Sequence, residues 1–430
     1  MRRSPAAFCF SKRYGSEAKI YVKIRSITSF FSPTRVLETG IAPLAEFSRE
    51  AKSAFEDAGY EVQTTRLATT PFPRWIKPMA QSRAVETAVA IEATAIAHGF
   101  GYVSLGPALP EVSESYTFIP DMLSGTKNVF FGAVIAEGKR GILLEALRQS
   151  AQIITKVAVL EENGFANLRF AALANVPPGS PFFPAAYHRG GKNAFALATQ
   201  AADLAVAAFT NARTITEGSQ GLTNSIEEHA GRLSEISNRL ARKCQINFSG
   251  IDFSLAPFPE ENESLGTAFE RMGVPMVGLQ GSLAAAAILT NAIDVAKFPR
   301  AGFCGLLLPP LEDSTLAKRT AEGTLSVNDL LLYSAVCGTG LDTIPLAGNT
   351  TVDQISALLL DLSALALRLD KPLTARLMPV PGKQAGDETN FDFPYFANSR
   401  VRALNAQSLR SAFSENGTIV LKPSRKPVHK

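Results

Sequence analysis

A chain of 430 residues, 46% hydrophobic and 19% charged, can bury a large core and lacks the composition of a disordered or fibrous protein. Its formal charge of +4 sits at the ends: residues 1–25 hold seven Lys/Arg against Glu17 alone and the last nine hold four more, leaving 32 basic against 38 acidic residues between. That acidic body carries no basic stripe interleaved with aromatics, which speaks against nucleic acid, and Cys9, Cys244, Cys304 and Cys337 form no C-x-x-C pair, which points to a reducing, cytoplasmic setting.

Residues 1–18 are acid-poor and bear Arg and Ser, so they read as a disordered extension or an upstream start, with a transit peptide as the alternative. The fold opens where Ile20, Val22 and Ile24 alternate with Tyr21, Lys23 and Arg25, the period of a strand with one buried face. After Pro43, the spacing of Leu44, Phe47, Ala51, Phe55 and Ala58 predicts a helix stopped by Gly59. An extended stretch Tyr60–Leu67 follows, then a helix Ser82–His98 and a strand Tyr102–Leu105. Further on, Ser225-x-x-Glu228 predicts a helix start, Cys244–Leu255 a strand and Glu263–Met272 a helix. Strands at Pro275–Leu279 and Phe303–Leu308 are expected on either side of a buried helix Ser282–Ala296. That helix is the most apolar stretch, but Asn291 and Asp294 interrupt it and it is too short to cross a bilayer. Ser326-x-x-Asp329 and Thr351-x-x-Gln354 cap two more helices, the second over Val352–Leu369, and the strand Leu373–Met378 comes last. Such alternation predicts one α/β domain over residues 19–400 with a tail over 401–430: a mostly parallel sheet closed into a β/α barrel, or else doubly wound.

The signatures of phosphate-loop nucleotide hydrolysis, dinucleotide binding, zincin proteolysis and the α/β-hydrolase elbow are all missing. What remains is a set of polar, glycine-rich segments expected just after strands, where β/α barrels place ligand loops. Cys337-Gly338-Thr339-Gly340-Leu341-Asp342 could bring backbone amides, Thr339 and a carboxylate to an anion, with Cys337 or Asp342 at the reacting centre; the bland alternative is a tight turn. Arg376, inside an apolar strand, needs an acidic partner, which would be a ligand carboxylate or a fixed Asp. Lys383 and Asp387 lie on the next loop as possible ligand contacts. His188, after a rigid Phe-Pro stretch and before two glycines, is a candidate acid/base with Tyr187 and Lys192 beside it, whereas His98 and His229 read as ordinary helix residues. Asp252 alternates with Ile251 and Phe253, so it should face the interior as a base or as the partner of Arg376. Glu260, Glu261 and Glu263 read as helix-capping acids rather than a metal site.

Together, PFFPAAYHRGG (181–191), CGTGLDTIPLAGNT (337–350) and RLMPVPGKQAGDETNFDFPYF (376–396) resemble uncharacterised protein family 0210, also called domain of unknown function 711, from about Lys23 to Phe396. The resemblance implies a fold similar to the barrel of pyruvate formate-lyase-like glycyl radical enzymes, no established activity or cofactor, and a possible small ACT-domain partner with an amino-acid connection. Radical chemistry needs a glycine in an R-V-x-G-like stretch, and here Arg400-Val401-Arg402 leads to Ala403. Anaerobic incubation with an activating radical enzyme and S-adenosylmethionine should therefore give no glycyl doublet in the electron spin resonance spectrum; a doublet would overturn that reading. The sequence thus leaves two functions open: a hydrolase, lyase or isomerase acting on a small carboxylated, amino-acid-like metabolite, or a regulatory protein that binds one.

Overall fold

The computed structural model describes residues 22–34, 36–77 and 80–424, so the expectations for residues 1–18, for Ile20 and Tyr21 and for Cys9 lie outside the described residues. Eleven strands form one sheet among them: β1 (Lys23–Phe31), β2 (Thr65–Thr69), β3 (Tyr102–Ala108), β4 (Val129–Glu137), β5 (Gly141–Leu143), β6 (Phe170–Ala174), β7 (Ala194–Gln200), β8 (Asn247–Asp252), β9 (Gly340–Ala347), β10 (Leu373–Val380) and β11 (Thr418–Ile419). The main path runs β8-β7-β1-β2-β3-β4-β6-β10-β9, with β5 attached to β4 and β11 to β5. The strands from β1 to β6 along it are parallel, while β7 is antiparallel to β1 and β10 to β6.

A closed barrel does not form: β8 and β9 are the ends of the ladder. The expected strand at Phe303–Leu308 is instead an irregular extended segment beside β8. Ile251 donates to the Pro299 carbonyl (2.8 Å) and Leu255 to that of Gly305 (2.9 Å), while Leu306 donates across to Cys337 (3.3 Å). Positive φ angles at Gly302 (66°) and Cys304 (48°) break the regular ladder there. Gly305 fits because a Cβ on it would meet the Cys337 carbonyl at 2.0 Å.

Helices cover the outer face. Ile24, Ile27 and Phe31 of β1 join the main core with Leu44, Phe47 and Phe55 of the helix Leu37–Asp57, while Phe30 points inward to Ala68, Phe130 and Phe183. Several predicted elements match closely, among them the helices Gln81–Ala97, Ser282–Val295 and Val352–Leu369. Three do not. The first helix begins before Pro43 rather than after it; no strand forms at 275–279; and Ser225 lies inside one 30-residue helix, Ile215–Cys244, whose true cap is Thr214 accepting from the Glu217 amide. Thr214 has the extended backbone that an N-cap adopts. No helix of the described residues is long and apolar enough to cross a membrane.

The inner face is occupied by residues 181–188. Thr28 and Ser26 hydroxyls donate to the Pro181 carbonyl (3.0 and 3.5 Å), Ser104 donates to that of Ala186 (2.6 Å), and the His188 amide donates to Thr69 (2.8 Å). Phe182, Phe183 and Pro184 thereby become one wall of a cavity.

Candidate functional site

The cavity has a volume of about 100 Å³. Its charged groups come from interior positions near the start of β1 and β2 (Arg25, Arg66), from β9 and β10 (Asp342, Arg376) and from the loop acid Glu312; Tyr102, Phe130, Phe183 and Phe393 supply apolar surface. The expected placement of ligand loops just beyond strand ends is thus corrected. For β1 to β4 the cavity adjoins the N-terminal ends, and the stretch 337–347 is not a loop but the end of a helix followed by β9. Gly338 (φ 74°) terminates that helix and Gly340 packs on β10, where a Cβ would meet the Thr374 carbonyl at 2.2 Å.

Two of the three arginines are held by fixed carboxylates. Glu312 accepts from Arg25 Nη2 through Oε2 (2.5 Å) and from Arg376 Nη2 through Oε1 (2.8 Å), and Asp342 Oδ1 accepts from Arg376 Nε (2.5 Å). Burial opposes the charge on Arg376, yet the two acids hold its pKa above the ordinary arginine value. Arg66 differs. Its Nε donates to Thr64 (2.9 Å) and its guanidinium lies over Tyr102 and Phe183, 5.7 and 5.2 Å from the ring centroids, but it makes no ion pair among the described residues. Burial, with Arg25 next in size, pushes its pKa down to about 10, so it stays charged at neutral pH in a setting that disfavours charge. Asp342 also keeps a free oxygen: Oδ2 has no hydrogen-bond partner among the described residues, although Asp342 is only 8% exposed.

Of the residues expected from sequence, Asp342 and Arg376 line this cavity; His188, Lys192, Asp252, Cys337, Thr339, Lys383 and Asp387 do not. Arg376 is paired with Asp342 and Glu312, not with Asp252. The buried Asp252 carboxylate accepts from Ser254 Oγ (2.6 Å) and from the amides of Phe303 (2.7 Å) and Cys304 (2.9 Å), pinning the irregular segment to β8. Burial still pushes its pKa up to about 6. His188 is buried beside Phe30, its Nε2 without a partner among the described residues, and burial lowers its pKa despite a bond with the Gly191 backbone. Cys337 is buried near Thr339 (3.6 Å), whose hydroxyl donates to Leu306. Asp387 caps its own loop at the Gln384 amide (2.7 Å), and Lys192 is exposed. No cluster of three or more His, Cys, Asp or Glu among the described residues is placed to hold a metal.

Sequence reasoning missed Arg25, Arg66 and Glu312. The criterion that singled out Arg376, an arginine among strand residues, applies equally to Arg66 in TTRLATT; Glu312 gave no signal, since PPLEDS reads as a solvated loop.

Beyond Arg25, hydrogen bonds continue outward. Gln200 accepts from Arg25 (3.3 Å) and from Gln63 (2.8 Å) and donates to Glu263 (2.6 Å), which pairs with Lys23 (2.7 Å). Close to this chain Asp203 opens the helix Ala202–Thr210, and burial, then the Glu263 charge, push its pKa up to about 7. A carboxyl with a raised folded-state pKa stabilises the fold most below its unfolded value, near 3.8, and loses that contribution as pH rises through about 7. The urea midpoint should therefore fall less between about pH 5 and pH 8 in Asp203→Asn than in the natural chain; parallel profiles would refute the assignment.

The family model described as "Uncharacterised ACR (DUF711)" matches residues 19–399. A UPF0210 protein of Pyrobaculum arsenaticum is 32% identical, over 80% of each chain. One from Pyrobaculum aerophilum is 32% identical over 76% of each, and one from Acetivibrio thermocellus 27% identical over 78% of each.

Proposed function

The chain belongs to the uncharacterised DUF711 family, and from that premise, which brings no activity with it, we propose that the arginine cavity binds a small monoanionic carboxylate. The observation that carries this is the contrast among the arginines: Arg25 and Arg376 have fixed carboxylate partners, and Arg66 has none. Three guanidiniums against two carboxylates leave one positive charge to be matched by a ligand. The Arg66 guanidinium lies over the Tyr102 and Phe183 rings, its terminal nitrogens make no hydrogen bond among the described residues, and such a fork suits two parallel hydrogen bonds to a carboxylate. Arg376 becomes the strut of the site rather than its clamp. Since an apolar cavity of roughly 150 Å³ takes a benzene ring, one of about 100 Å³ suits a ligand of about four to six non-hydrogen atoms.

Use of the bound carboxylate as a substrate, in a hydrolase, lyase or isomerase reaction, is the second reading. It is favoured by Asp342 Oδ2, an uncommitted carboxylate oxygen at the cavity that could accept a proton from the ligand. Calorimetric titration of the full chain with propionate and related short monocarboxylates should show saturable binding that is lost in Arg66→Met. Failure of every such acid to bind the natural chain would overturn the proposal.

A further inference from the structure

Resting on the carboxylate reading above, we infer that the ligand is a short 2-hydroxy acid, its carboxylate on Arg66 and its hydroxyl donating to Oδ2 of Asp342. Two uncommitted polar groups face the same cavity, one a pure donor and the other a pure acceptor. Asp342 cannot turn away to find another partner: Oδ1 is fixed by Arg376 Nε at 2.5 Å, and Arg376 is in turn fixed by Glu312 at 2.8 Å. The second oxygen is therefore an oriented acceptor at the cavity, open to a donor from a ligand or from water. A plain alkanoate would satisfy Arg66 and leave Oδ2 bare. Within the roughly four to six non-hydrogen atoms that a cavity of about 100 Å³ takes, the shortest acids that carry both a carboxylate and a hydroxyl place the hydroxyl on the 2-carbon.

Charge selects between the two common donors at that carbon. A 2-amino acid is a zwitterion at neutral pH, so its ammonium would answer Asp342 while the site kept its surplus positive charge. A 2-hydroxy acid is a monoanion: it neutralises Arg66 and still gives Asp342 a proton donor. Asp342 is on this account the specificity-determining residue, and Arg66 the anchor.

Titration of the full-length natural chain with L-lactate, D-lactate, propionate and L-alanine tests this. At least one lactate enantiomer should bind roughly ten- to a hundredfold more tightly than propionate, the range for one hydrogen bond to a charged group, and more tightly than L-alanine. Propionate as tight as both lactates would overturn the hydroxyl contact while leaving the carboxylate site standing, and L-alanine as the tightest would overturn the choice of hydroxyl over ammonium. Binding of none of the four would instead bring down the carboxylate reading itself. In Asp342→Ala, checked for folding by circular dichroism, the lactate-to-propionate ratio should shrink towards one. Should that variant not fold, the four affinities of the natural chain decide the matter alone.

Discussion

Arg66→Met should melt at a higher temperature than the natural chain and should no longer gain stability from any short carboxylate. Arg66 carries a charge in a partly buried position without an acidic partner, and burial together with the nearby Arg25 charge pushes its pKa down to about 10. Replacing even a paired set of buried charges with apolar side chains of similar volume is often neutral or stabilising, by about 1–4 kcal/mol, and a partly buried cation without a partner has less attraction to lose. Against this stand the contacts of the guanidinium with Tyr102 and Phe183, each worth about 0.5–2 kcal/mol, part of which the methionine thioether recovers on the same rings. The balance should be a gain of about 1 kcal/mol or more, seen as a rise of a degree or more in a melting curve. A residue that costs stability and supplies binding is the pattern expected of a functional site. A variant that melts lower, with its response to carboxylates intact, would make Arg66 a structural cation held by aromatic faces and would leave the cavity without an anchor.

Glu312→Gln should have the opposite sign and a larger size. Its carboxylate, with only 6% of the side chain exposed, is the joint between Arg25 and Arg376. Arg376 would retain Asp342, but Arg25 would keep only its bonds to Gln200 and the Pro257 carbonyl. Breaking a buried pair from one side leaves an uncompensated charge and typically costs about 3–5 kcal/mol. Adding Arg25→Gln to Glu312→Gln should restore part of the loss, because it removes the charge left without a partner; the double-mutant cycle measures that coupling. Urea unfolding of the four proteins checks both statements. Independent, additive losses would show that Glu312 and Arg25 do not depend on each other, contrary to their 2.5 Å contact.

The order of helices and strands was legible wherever local chemistry is decisive. The box Thr351/Gln354 fixes the start of the helix Val352–Leu369 because hydroxyl, amide and backbone satisfy one another within one turn. Ser326/Asp329 does the same for Val327–Cys337. That Arg376 would need a carboxylate was legible too, since a charge in an apolar strand needs a partner wherever the strand ends up; that Asp342 and Glu312, rather than Asp252, supply it was not. Beyond that, tertiary contacts decided. Whether a sheet closes depends on what two edges meet, and here the edges of β8 and β9 are separated by a segment whose positive φ angles at Gly302 and Cys304 no hydrophobic pattern announces. Asp252 faces inward as its alternation implied, yet it serves the amides of residues 303 and 304, because a buried carboxylate takes whichever donors the fold brings to it. Which arginine would be left without a carboxylate could not be read from the chain either. Glu312 lies more than sixty residues before Arg376 and far from Arg25 in sequence, and only the packing of the loop that carries it onto β1 and β10 satisfies those two and leaves Arg66 free.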